Sequence, residues 1–166
     1  DNGNETVTDN FNHQVWMKCS VGVTGSLCDL GAPIKFDINQ AKSYCDALSF
    51  AGFDDWKLPN DKELMSIIHY EKISPTIDDM IFPNTPAALF WTASLYAPNV
   101  NYYWTINFSS ADITATYGLM SNPTSYGNYV RCVRDIPQDI SCQPRDTILS
   151  TFETNSLCNG VCGLAV

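Results

Sequence analysis

Three features place this chain in the α+β class with an antiparallel sheet. Apolar residues recur at helical spacing between residues 38 and 71. Strand-like alternation takes over after residue 89. The connections between the later alternating runs are loops of Asn, Ser, Pro and Gly.

Taken in order, the chain opens on strand-like patterning from Val7 to Lys18, folded about a turn near Asp9-Asn10 and Asn12-His13. Cys19 and Cys28 flank a glycine-containing segment with the composition of a hairpin or small loop, so a local bridge between them is expected. Asp37 and Gln40 have capping-box spacing, and Ile38, Ala41, Cys45 and Leu48 continue it as one helical face. Gly52 is expected to close that helix in the left-handed conformation. Asp54 and Asp55 then form a turn in which they satisfy backbone amides, with Trp56 and Leu58 pinning the helix pair to the sheet. Asn60 and Glu63 form a second capping box, opening a helix over residues 61–71 with Leu64, Ile67 and Ile68 on its apolar face.

Residues 73–88 hold several prolines and read as irregular, a segment either functional or wrapped over the core. Strands follow at Phe90 to Ser94, Tyr102 to Phe108, Ile113 to Tyr117 and Tyr129 to Arg134. In the last of these, Val130, Cys132 and Arg134 share one face and Tyr129, Arg131 and Val133 the other. Residues 1–135 thus read as one domain. Residues 136–166 read as an appendix carrying Cys142, Cys158 and Cys162, with one possible short helix around Thr147 to Thr154.

Composition narrows the function. The 166 residues are 45% hydrophobic, enough for one domain with a core. No apolar run approaches the roughly 18 residues of a membrane helix, so membrane insertion is not expected. A formal charge of −9 with scattered basic residues makes nucleic acid and anionic membranes poor partners. Seven cysteines without paired zinc-ligand spacing and nearby histidines read as disulfides from an oxidising compartment, with one thiol left over.

Quoted in order, Val7-x-Asp9, Trp16-Met17-Lys18-Cys19, A-x-x-Y-C-x-x-L from Ala41 to Leu48, and G-x-x-D-W-x-L-P-x-x-K-E-L from Gly52 to Leu64 form one signature. It continues through FPNT from Phe82 to Thr85 and FWTAS from Phe90 to Ser94, and ends in YVRCVR from Tyr129 to Arg134. This series resembles the C-terminal domain of the Legionella collagen-like (Lcl) adhesins. The resemblance implies a variant of the C-type-lectin-like fold, with two helices beside a twisted antiparallel sheet, and a Cys45–Cys132 bridge. It also implies an extracellular or bacterial cell-surface setting, often as a homotrimer at the tip of a fibre. Residues 136–166 depart from the pattern and inherit nothing from it.

Candidate sites were weighed on chemistry. Asp54, Asp55, Asp78 and Asp79 fall short of a calcium loop and are expected to cap turns, so neither metal nor cofactor is expected. His13 and His69 lack a visible partner for acid–base work, and Ser94 and Cys162 lack a nucleophile signature, so no catalytic residue is assigned. Trp16, Trp56, Trp91 and Trp104 are expected in the core. Asn99, Asn101, Tyr102 and Tyr103, together with Asn122, Tyr126 and Asn128, mix rings that stack with amides that bond hydroxyls, a composition suited to recognising a glycan or a protein surface. The expectation is a non-enzymatic adhesin or ligand-binding head. The alternatives are a structural cap that trimerises a fibre and an enzyme related to formylglycine generation, which would need two unbridged thiols in a cleft.

Overall fold

A computed structural model describes residues 1–118 and 127–137, apart from the Tyr117 side chain. Among the described residues, eight strands and two helices run in the order β1 (Thr6–Asp9), β2 (Gln14–Met17), β3 (Val23–Thr24), β4 (Leu30–Gly31), α1 (Ile38–Asp46), α2 (Asp61–Ser66), β5 (Leu89–Leu95), β6 (Tyr102–Asn107), β7 (Asp112–Tyr117) and β8 (Val133–Asp135). The expected α+β class holds, but the expected single twisted sheet does not. There are three small sheets among the described residues, ordered β1-β2-β8, β3-β4 and β5-β6-β7, each antiparallel. Isolated bridges tie them to neighbouring segments: Phe90 of β5 pairs with Tyr129 in parallel, and Val133 of β8 pairs with Lys57.

Both capping boxes close as their spacing requires. The Asp37 carboxylate accepts from the Gln40 amide at 2.8 Å, and Asn60 Oδ1 accepts from the Glu63 amide at 2.9 Å. The helices are shorter than their periodicity predicts. Helix α1 ends at Asp46, and Gly52 does not close it. With φ +85°, Gly52 instead sits in the tight turn bracketed by the Phe50–Phe53 bridge. Helix α2 stops at Ser66 because Ile68 leaves to pair with Ile77, so residues 67–71 lie outside the helix.

Two apolar clusters lie on either side of a shared strand layer. Val15, Met17, Trp91, Val130 and Cys132 face the first, with Ile38, Ala41 and Cys45 of α1 and with Trp56 and Leu58. Trp16, Phe90, Ile106 and Val133 face the second, with Leu64 of α2 and with Ile77 and Phe82 from the irregular segment. Period-two alternation explains the division: neighbours in β2, in β5 and in 130–133 point to opposite faces. The irregular segment 73–88 is therefore wrapped over the core.

Two disulfides join parts far apart in sequence and near. Cys45–Cys132 spans a separation of 87 residues and Cys19–Cys28 one of 9, so both expected bridges are present. Cys142, Cys158, Cys162 and the expected helix at 147–154 lie outside the described residues.

Residues 128–135 touch nearly every other part of the domain. Asn128 exchanges backbone hydrogen bonds with Phe36, Val130 accepts from the Val21 amide, Cys132 from Met17, and Val133 exchanges bonds with Lys57. Arg131, wholly buried, donates to the Met17 carbonyl at 2.9 Å, to the Lys18 carbonyl and to Thr85 Oγ1 at 2.7 Å, and stacks on Phe82 with its guanidinium carbon 4.7 Å from the ring centroid. Desolvation pushes its pKa down from the usual arginine range.

Candidate functional site

The hairpin of β5 and β6 carries four of the seven predicted site residues at or next to its turn. Tyr96 and Tyr102 pair across the turn mouth, where the Tyr96 amide donates to the Tyr102 carbonyl at 2.8 Å. Asn99 folds back on the chain, its side-chain oxygen accepting from the Asn101 amide at 3.1 Å. The Asn101 carbonyl in turn accepts from Gly118 at 2.9 Å, which ties the turn to the end of β7. Asn99 and Asn101 are both exposed.

Alternation along β6 then separates the two tyrosines that the sequence places together. Tyr102 and Trp104 meet Tyr96 edge to face. The centroids of Tyr96 and Trp104 lie 5.0 Å apart with planes at 87°, and those of Tyr96 and Tyr102 lie 6.5 Å apart at 65°. The three rings form a partly exposed strip. Tyr103 points the other way, packs on the first cluster, and lies under Lys42, whose Nζ is 4.3 Å from the ring centroid and 3.3 Å from the hydroxyl.

Trp104 corrects the expectation of four core tryptophans. Trp16, Trp56 and Trp91 are buried, whereas Trp104 keeps part of its ring in solvent. From the sequence, Trp104 is assigned to the core and neither it nor Tyr96 is named as a binding residue. The signal was present in the alternation Tyr102-Tyr103-Trp104, which puts the first and third on one face. What the sequence withholds is which face another element covers.

Asn128 does not join the strip. It is buried and lines a separate cavity of about 280 Å³ with Lys35, Asn107, Ser109 and Tyr129, at the opposite end of β6 from Tyr102. Its side-chain nitrogen has no hydrogen-bond partner among the described residues. Asn122 and Tyr126 lie outside the described residues.

The acidic candidates disperse into separate structural roles. Asp55 accepts a hydrogen bond from its own backbone amide and also grips Arg134 through both oxygens, at 2.6 and 2.9 Å. The hydrogen bond to Arg134 holds its carboxyl below the usual carboxylate range. Asp54 is exposed and bonds no described side chain. Asp78 accepts from the Met80 amide at 3.0 Å, and Asp79 pairs with Lys72 at 2.7 Å. Among the described residues, no three His, Cys, Asp or Glu side chains converge on a point that would hold a metal ion. Ser94 is engaged at the start of α2, donating to the Asp61 carboxylate at 2.6 Å while accepting from the Asp61 amide. His13 is an exposed turn residue with φ +54°. His69 is half-buried, and its Nδ1 is buried without a partner among the described residues.

The arrangement offers flat rings and amides for recognition. A family model described as the Lcl C-terminal domain matches residues 5–134, and no curated protein matches the chain.

Proposed function

The chain belongs to the Lcl C-terminal domain family, and from that premise we propose that it is a non-enzymatic ligand-binding head of a surface or secreted adhesin. Two disulfides accord with an oxidising setting. No helix of the described residues is long and apolar enough to cross a membrane. On this reading the helices, small sheets and cross-linked loops are a variant of the C-type-lectin-like fold.

The observation that carries the proposal is the strip of Tyr96, Tyr102 and Trp104 beside Asn99 and Asn101. Ring faces stack on the apolar faces of sugars or on protein side chains, while the amides bond hydroxyls and fix orientation. A charge of −9 makes a neutral glycan or a protein surface a better partner than a sulfated chain. Three heads held in one homotrimer would convert weak single contacts into avid attachment.

Binding of the oxidised chain to an array of neutral and sulfated glycans, and to immobilised surface proteins, tests the reading. Tyr102→Ala and Trp104→Ala are each expected to lower affinity about tenfold, near 1.4 kcal/mol, with an unchanged circular dichroism spectrum. Tight binding confined to sulfated glycans would reject the neutral-ligand reading. A trimer whose three-fold axis buries the strip would identify a fibre cap instead.

A further inference from the structure

A second concavity, which shares no residue with the aromatic strip, lies between the β1–β2 turn, the end of α2 and the segment after Ile77. It encloses about 480 Å³, within the range of sites that seat a ligand or a bound side chain. Val7, Phe11, Ile67, Ile81 and Phe82 supply apolar walls. Phe11 is 90% exposed, and the adjoining segments expose Tyr70, Ile73 and Met80 at 70%, 90% and 86%. Single exposed apolar side chains are ordinary, but several on the segments around one groove mark an interaction surface.

Polar features of the groove are specific. Trp16 lines it, is 0% exposed, and has an indole N–H without a hydrogen-bond partner. His69 lines it too, with Nδ1 buried and unpartnered. The carboxylates lining the groove are Asp9 and Asp78. No Lys or Arg is among the lining residues; the nearby Lys72 pairs with Asp79 at 2.7 Å and also lies within electrostatic reach of Asp78.

We propose that this groove binds a segment of a partner protein in which a large apolar side chain stands beside a lysine or arginine. The apolar side chain fills the space between Phe11, Ile67 and Ile81. The basic group meets Asp9 and Asp78. An anionic membrane would satisfy the apolar rim but would set its headgroups against two carboxylates on a chain of charge −9.

Selection of a random heptapeptide phage library on the full, oxidised chain tests this. Enriched sequences are expected to place Phe, Leu or Ile next to Lys or Arg, and a synthetic copy of one should shift the Trp16 indole N–H resonance. Affinity for that peptide should fall at least tenfold in Ile81→Asp. It should fall similarly in Asp9→Asn/Asp78→Asn, which keeps the oxygens that cap the local turns. Failure to enrich any sequence, enrichment of acidic sequences, or equal affinity in both variants would overturn the proposal. So would binding to phosphatidylcholine–phosphatidylglycerol vesicles without any peptide binding. None of these outcomes alters the expected behaviour of Tyr102→Ala and Trp104→Ala.

Discussion

At the scale of single residues, the Asp55–Arg134 pair shows how position decides the worth of a charge. Arg134 is nearly buried, with a side chain 7% exposed, and its guanidinium also lies 3.8 Å from the Phe53 ring centroid. The Asp55 carboxylate is half exposed, at 50%, so solvent screening limits what the pair contributes. Asp55→Asn is expected to cost about 1 kcal/mol at neutral pH, read from the denaturation midpoint. The pH dependence has a definite sign. Because the folded-state pKa of Asp55 lies below its unfolded value, the unfolded chain binds more protons in acid. The stabilisation is therefore complete above about pH 4 and is lost as pH falls through the lowered pKa. Asp55→Asn should flatten the acid limb of the stability curve in that window. Asp54→Ala, which from the sequence should also destabilise, is now expected to change stability by less than about 0.5 kcal/mol, because its side chain is exposed and bonds no described side chain. The two neighbours look alike in the sequence. Only the arrival of Arg134 from far along the chain distinguishes them.

At the scale of elements, local signals were legible and their limits were not. Capping boxes are contacts over three residues, so Asp37–Gln40 and Asn60–Glu63 could be read from spacing alone. Helix ends depend on competition: α2 stops where Ile68 finds Ile77, a choice no propensity records. The last alternating run predicted a strand from Tyr129 to Arg134. The structure keeps the alternation of faces but pairs only Val133–Asp135 as a strand, because Asn128 and Tyr129 bridge to Phe36 and Phe90 in turn. The two disulfides differ most clearly at this scale. In the loop-entropy account, the bridge across 87 residues contributes about 4–5 kcal/mol and that across 9 about 3 kcal/mol. Cys45→Ser/Cys132→Ser should therefore lose more stability than Cys19→Ser/Cys28→Ser, as measured by urea denaturation of each double variant.

For the whole molecule, the class and the apolar faces were legible because periodicity reports which residues seek a core. The division into three small sheets was not, since it depends on how short segments meet after long excursions. The candidate site was half legible for the same reason. Asn99, Asn101 and Tyr102 cluster through one hairpin turn, while Tyr103 and Asn128 go elsewhere. Residues 128–135 hold the parts together, and this gives the domain a direction in time. A chain delivered N-terminus first, from a ribosome or through a narrow pore, lacks the partner of Cys45, the buried Arg131 clamp and the middle of both clusters until this segment emerges. Its first 127 residues should then remain protease-sensitive and threadable. Chains arrested with residue 127 or residue 137 just clear of the ribosome should differ sharply in resistance to brief proteolysis, with only the longer one protected.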